Sequence, residues 1–342
     1  MTALGNGGAE TYATDAMLAL QEAGADQAAY VAPQALRTKE LAAAGLRVTM
    51  ATSRFRPLMR RALKRLIAVE QPDVIHCWMR RAGEICPAQT SIPVIGWLGG
   101  YYPPEAYKTA SHFIGVTHDI SRHLGERGVP AERRFVVHTF PSLPKVTPPP
   151  VSRASLDTPE GAPLLLALSR LHAHKALDTL LNALAELPDC YLWIAGDGAL
   201  EGALKAQAAA LGITGRVRFL GWRSDGAALL QACDVCVLPS RIEPFGTVII
   251  EAWAAGKPLV AARAAGPAAY VTDGVTGLLH PIDDAAALRD AVRRVVDDTA
   301  LRAALVTAGK AAYENGFTRA ASVAGLFDVY QQAMSGAKTP WR

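Results

Sequence analysis

Long apolar runs are missing from this 342-residue chain: none approaches the roughly 18 to 20 residues that a membrane-spanning helix needs. Nor does the N-terminus begin with basic residues followed by an apolar stretch, so the sequence predicts a cytoplasmic address. Cysteine is sparse. The five cysteines, Cys77, Cys86, Cys190, Cys233 and Cys236, are odd in number and sit mostly inside apolar runs, which argues against a disulfide scaffold and for a reducing compartment. Charged residues are held to 19% and aromatics to 7%, while half the residues are apolar, which excludes a disordered or collagen-like chain. What remains is an alanine-rich globular protein. Its length exceeds what one ordinary hydrophobic core supports and suits two domains of roughly 150 residues each.

Strong charge of one sign is absent as well, the net being +4. The small excess is unevenly placed. Residues 1–150 hold 17 Lys and Arg against 12 Asp and Glu, a balance of +5, whereas the remainder holds 18 against 19, a balance of −1. That is too little for a nucleic-acid binder, but it places an anionic partner against the first half.

The boundary between the halves is written in proline. Five of the ten residues in 141–150, PSLPKVTPPP, are proline, so neither a helix nor a central strand continues through them. On both sides, short β-branched runs alternate with alanine- and leucine-rich helical stretches, the pattern of parallel sheets covered by helices. Strands are expected at 73–77, 93–98, 112–117 and 135–139 before the linker, and at 163–169, 190–196, 216–221, 235–240 and 258–262 after it. The expected architecture is two doubly wound, Rossmann-like α/β domains in tandem. One detail is out of place: Gly5-Asn6-Gly7-Gly8 is a turn that normally follows a strand, and no strand precedes it. Either the first sheet lacks a central strand or Met1 is an internal methionine. The second is preferred, because an unfilled place in a parallel sheet leaves backbone groups unpaired.

The richest stretch for chemistry is SRIEPFGTVIIEAWAAGKP, residues 240–258. Pro244 and Gly246 make a turn out of a strand. Val248, Ile249, Ile250, Trp253 and Ala254 make a buried helix, which Gly256 and Pro258 end. Glu243 then lies just before the helix N-terminus and Glu251 about two turns inside it. The N–H groups of Phe245, Gly246 and Thr247 point out of the helix end, where they favour a phosphate or another anion. Two carboxylates flanking an anion site suit a polyhydroxylated ligand, because ionised Glu accepts the hydrogen bonds that sugar hydroxyls donate.

The E-x7-E spacing after Pro239-Ser240 resembles the retaining glycosyltransferases of family 4, which have the GT-B fold. Further along the same resemblance, ALSRLHAHKALD (167–178) is similar to the family's G-R-L-x-x-x-K-G-x-D, which would put Arg170 and Lys175 on the donor diphosphate. There, two fixed cations would stabilise the charge that develops as the diphosphate departs. GNGGAE (5–10) resembles the family's first loop, where Gly7 and Gly8 let the backbone approach donor and acceptor. WIAGDG (193–198), FLG (219–221) and DGVTGLL (273–279) are family-like landmarks too.

By this resemblance, the fold is two facing Rossmann-like domains with a cleft between them. An acceptor-side domain would span 1–145, a donor-binding domain 146–318, and a C-terminal stretch, 319–342, would cross back to the first. Arg170, Lys175 and Glu243 would be catalytic. Glu251 would hold the ribose hydroxyls and Glu243 those of the transferred sugar, with Phe245, Gly246, Thr247, Val248, Gly7 and Gly8 completing the donor site. The acceptor side would include Gly99, Gly100, Tyr101 and His76. No cofactor or metal is implied: the chain has no D-x-D, and Arg170, Lys175 and the helix end would take the ion's place. The implied reaction is transfer with retained anomeric configuration from a nucleoside-diphosphate sugar to a glycan or lipid-linked acceptor, in lipopolysaccharide or cell-envelope synthesis. A non-catalytic sugar-nucleotide binder and a same-fold phosphorylase or epimerase are the alternatives.

The chain also departs from the family pattern. Gly99 stands where many relatives have His, Ala176 follows Lys175 in place of Gly, and Ala269 stands where Glu is frequent. Other features read as structural. Cys233-Asp-Val-Cys236 lies in an apolar run with no second pair, so packing explains it better than zinc or redox chemistry. GDGALEG (196–202) has the wrong spacing for a dinucleotide fingerprint. His76 reads as a packing or acceptor-cleft residue before a base. In residues 57–70, Leu58, Met59, Ala62, Leu63, Leu66 and Ile67 fall on one helical face and Arg60, Arg61, Lys64 and Arg65 on the other. That basic face, with Arg54, Arg56, Arg80 and Arg81, is a candidate for an anionic membrane surface or a phosphorylated glycolipid.

Overall fold

A computed structural model describes every residue except 1–7, 33–36, 89–90, 145, 337 and 342. The chain divides into two compact units, one of residues 1–142 with 318–342 and the other of residues 143–317. All nine strands expected from the sequence are present, and residues 141–150 carry no helix or strand among those described.

In the second unit the strands are β7 (Leu164–Leu168), β8 (Tyr191–Ala195), β9 (Val217–Phe219), β10 (Val235–Leu238), β11 (Leu259–Ala262) and β12 (Leu278–His280). They form one parallel sheet in the order β12-β11-β10-β7-β8-β9. Alternate residues of β7 serve opposite faces. Leu165 and Ala167 join one buried cluster with Leu180, Leu184 and Val292, while Leu164 and Leu166 join another with Trp193, Leu229 and Ala252. Helices α6 (Leu177–Ala185), α7 (Glu201–Ala210), α8 (Gly226–Ala232), α9 (Thr247–Ala254), α10 (Ala265–Tyr270), α11 (Ala285–Asp297) and α12 (Thr299–Gly316) complete the unit. Chain order runs outward from β7 in one direction as far as β9 and resumes on its other side at β10. The sheet therefore switches direction between neighbours β7 and β10, and ligands of open α/β sheets bind outside the C-terminal ends at such a switch.

The first unit holds β1 (Ala28–Val31) and β2 (Arg47–Met50), a two-stranded parallel sheet. Its other strands, β3 (Ile75–Trp78), β4 (Val94–Leu98), β5 (His112–Gly115) and β6 (Arg134–Val136), form a four-stranded parallel sheet in chain order. Helices α1 (Gly8–Glu22), α2 (Thr38–Ala43), α3 (Arg56–Glu70), α4 (Met79–Ile85), α5 (His118–Glu126) and the C-terminal α13 (Arg319–Ser335) belong to the same unit.

The amphipathic helix expected at 57–70 is α3, with one correction to its apolar face. Met59 and Ile67 are buried and Leu63 and Leu66 half-buried, but Leu58 and Ala62 are exposed, since they lie at the edge of the apolar stripe. All five cysteines are buried free thiols. Cys233 donates to the Leu230 carbonyl at 3.3 Å, and burial pushes its thiol up to about 12, so the Cys-x2-Cys pair is packed and unreactive.

Candidate active site

The loop leaving β10 carries Glu243, and the loop leaving β7 carries Arg170 and Lys175, so the two meet at the switch point. Lys175 ends a short 3-10 turn, Ala173–Lys175, and its Nζ donates to Glu243 Oε2 at 2.5 Å. Ser240 Oγ donates to the same oxygen at 3.2 Å. Both partners are largely shielded, with side-chain exposure of 19% for Lys175 and 10% for Glu243, so little solvent screens the pair. Arg170 is exposed and forms no ion pair among the described residues. Its backbone is fixed by the loop after β8: Ser169 N–H bonds the Ala195 carbonyl at 3.0 Å and Leu171 N–H the Asp197 carbonyl at 2.7 Å.

Gly246 sets the start of α9. It has φ of 90°, and a Cβ there would lie 3.2 Å from Glu243 Cγ, Ile249 Cδ1 and Leu238 Cδ2, so only glycine fits without displacement. No side chain caps the helix, which leaves N–H groups of its first turn, beginning at Thr247 and Val248, available to an anion. Glu251 lies one turn further in. Burial pushes its carboxyl up to about 7, because a low-dielectric surrounding disfavours the charged form. Phe245 is buried, and its ring stacks on Tyr270 with centroids 5.3 Å apart.

Three residues that the sequence reading passed over hold these loops in place. Tyr270 Oη donates to the Phe245 carbonyl at 2.6 Å and to the Gly246 carbonyl at 3.2 Å. Arg241 forms a two-pronged pair with Asp178, bonds the Ala173 carbonyl at 2.8 Å and reaches Asp283 at 2.6 Å. It thereby ties the Glu243 loop to the Lys175 loop. Ser240 is the third. Only its place beside the E-x7-E and the invitation of an Arg-Asp pair could have suggested Ser240 and Arg241, while nothing near Tyr270 in the sequence points to its role. The alanine that follows Lys175, Ala176, takes the left-handed φ of 49° where a glycine would sit without strain.

The candidates in the first unit fall in separate surroundings. Gly7 lies outside the described residues, and Gly8 opens α1 with open space around it. Tyr101, 38% exposed, donates to Asp119, which also pairs with Arg122 at the start of α5. Gly100 is buried and its carbonyl accepts from Tyr102 N–H at 2.8 Å. At Gly99 the space for a side chain is already filled: a Cβ would lie 2.6 Å from the buried Trp97 ring. His76 stacks on Trp78 at 3.9 Å and its Nδ1 lies 2.8 Å from Tyr330 Oη. Burial lowers its pKa to about 3, so the imidazole is neutral at physiological pH.

Comparison with known proteins bears on the whole chain. Residues 150–312 match the family of glycosyl transferases group 1, and residues 6–140 match glycosyltransferase family 4. The chain is similar to the lipopolysaccharide core biosynthesis glycosyltransferase LpsE of Rhizobium meliloti (strain 1021), with 35% identity covering 96% of each chain. LpsD of the same organism is 31% identical, again over 96% of each. Among solved structures, Anabaena Alr3699/HepE in complex with UDP and glucose superposes with a TM-score of 0.81 at 22% identity, covering 97% of this chain and 98% of that one. The fold is therefore that of the GT-B glycosyltransferases.

Proposed function

This chain belongs to glycosyltransferase family 4 and is a glycosyltransferase, and we propose that it moves a sugar from a nucleoside-diphosphate donor to a glycan or lipid-linked acceptor of the lipopolysaccharide core or cell envelope. The observation that carries this reading is the Lys175–Glu243 pair, 2.5 Å apart between the loops that leave β7 and β10, with the uncapped start of α9 following Glu243. The whole-length likeness to LpsE and LpsD supports the acceptor class, and the UDP held by HepE supports a nucleotide-sugar donor.

In this proposal the bond between the sugar's anomeric carbon and the diphosphate oxygen breaks, and the acceptor oxygen attacks from the same face. The acceptor's proton passes to the departing diphosphate, and configuration is retained. Arg170, Lys175 and the N–H groups at the start of α9 stabilise the growing negative charge, so no metal ion is required. Glu243 accepts hydrogen bonds from the transferred sugar and Glu251 from the ribose hydroxyls. With its carboxylate held by Lys175, Glu243 is placed to orient the sugar and not to attack it.

Transfer from a panel of nucleotide sugars to purified truncated core acceptor, in excess EDTA, tests this with proton NMR of the product. The expected product keeps the donor's anomeric configuration at an undiminished rate. An inverted product, or loss of turnover that added Mg²⁺ or Mn²⁺ restores, would overturn it.

We also propose that α3 rests on an anionic membrane surface. Arg60, Arg61, Lys64 and Arg65 are exposed along it, and Phe55 and Leu58 are 63% and 55% exposed at its start. Co-sedimentation with phosphatidylglycerol vesicles should fall in high salt and in Arg61→Glu/Lys64→Glu/Arg65→Glu. Binding indifferent to both dismisses the surface.

A further inference from the structure

Four rings of the second unit pack together beside the turn that opens α9. Phe245 sits on the turn itself, Trp253 on α9, Tyr270 at the end of α10 and Phe317 directly after α12. Tyr270 and Phe317 each touch the other three. The Phe317 ring centroid lies 5.3 Å from that of Tyr270, 5.7 Å from Trp253 and 6.3 Å from Phe245. Tyr270 in turn lies 5.3 Å from Phe245 and 5.8 Å from Trp253. Phe245, Trp253 and Phe317 are buried. Two of the rings are pinned by hydrogen bonds: Trp253 Nε1 donates to the Thr276 carbonyl at 2.7 Å, and the Tyr270 hydroxyl holds the Phe245 and Gly246 carbonyls. At Gly309 a Cβ would lie 2.5 Å from Trp253 Cδ1, so α12 rests directly on that ring.

Phe317 closes the last turn of α12, where its N–H bonds the Tyr313 carbonyl at 2.9 Å, and the second unit ends at this residue. By composition that turn is weak. Glu314 puts negative charge at the negative end of the helix, no basic residue of the last turn offsets it, and Gly316 is a poor helix former. A turn of this kind opens easily unless packing holds it. The packing here is the ring of Phe317 against Tyr270, Trp253 and Phe245, at separations where aromatic pairs attract beyond the area they bury. The end of α12 is therefore seated on the same rings that fix the Phe245–Gly246 turn.

We propose that Phe317 is a positioning residue for the donor turn, and that it carries donor occupancy to the end of α12. This inference rests on the donor site proposed above. A diphosphate at the first N–H groups of α9 orders the Phe245–Gly246 turn, and Tyr270, whose hydroxyl holds both carbonyls, is ordered with it. The ordered rings give Phe317 a fixed seat, so the last turn of α12 opens less often. The coupling is reciprocal: what the nucleotide lends to that seat, loss of the Phe317 ring takes from nucleotide affinity.

Calorimetry of the full chain with UDP, GDP, ADP and CMP identifies the nucleotide that binds, and hydrogen exchange is then followed with and without it. In the wild type, saturating nucleotide should slow the amides of residues 314–317 about tenfold, together with those of Ile249 and Ile250 in α9. Phe317→Leu keeps an apolar side chain in place but removes the ring. Nucleotide should bind it about tenfold more weakly and, at saturation, slow only Ile249 and Ile250. Slowing in α9 of the wild type without slowing at 314–317 overturns the inference, whatever the variant does. Affinity and exchange in Phe317→Leu equal to the wild type overturn it as well. Both results leave the donor site standing, whereas a wild type that binds none of the four nucleotides removes that site and the inference with it.

Discussion

In the proposed site Glu251 accepts hydrogen bonds from ribose best as a carboxylate, yet burial pushes its carboxyl up to about 7 from an ordinary value of 4.5. Donor affinity should therefore rise about tenfold between pH 6 and pH 8, beyond any change from titration of the nucleotide itself. Calorimetry on Glu251→Gln, which cannot titrate, isolates the difference; equal slopes in the two proteins would remove Glu251 from the site. Stability should move the other way. The folded protein favours the protonated acid, so the contribution is fully present below about pH 4.5 and is lost as pH rises through 7. Glu251→Gln is then expected to match the wild type at pH 4 and exceed its melting temperature at pH 8. A second residue, Tyr270, acts through its hydroxyl on the Phe245 and Gly246 carbonyls. Tyr270→Phe should cost about 1 to 2 kcal/mol in urea unfolding and raise the donor KM. Lys175 and Glu243, which the structure brings together, were legible because each belongs to a local spacing. Tyr270 was not, because its partners lie 24 and 25 positions away.

Elements explain why those spacings work. The turn at Gly246 and the end of β10 fix where Glu243 projects, and α9 carries Glu251 at a set distance behind it. The Arg241–Asp178 pair adds a tie between the β7 and β10 loops that neither strand provides. Its side chains are 28% and 46% exposed, so Arg241→Ala should lower stability by under about 1 kcal/mol. Turnover is expected to fall at least tenfold, because Lys175 and Glu243 lose their common register. Thermal denaturation beside steady-state kinetics separates the two effects; a loss of turnover no greater than the loss of folded protein would make the pair merely structural. Strands β4, β7, β8 and β10 could be read from the sequence as buried apolar runs. Strands β1 and β2 escaped notice for physical reasons: AAYV is alanine-rich and RVTM is mostly exposed.

For the whole molecule, the alternation of strand and helix and the proline-rich stretch at 141–150 made the α/β class legible. The order of strands was not legible, since β7 and β10 are neighbours with some 70 residues between them. That adjacency turns two separate motifs into one site. Metal-free calorimetric titration with UDP, GDP, ADP and CMP, repeated on Lys175→Ala and Glu251→Ala, tests the site most directly. One nucleoside diphosphate should bind in EDTA, weakened at least tenfold by each substitution while both variants stay folded by circular dichroism. Binding of none of them, or equal binding by the variants, would contradict a donor site at the ends of β7 and β10.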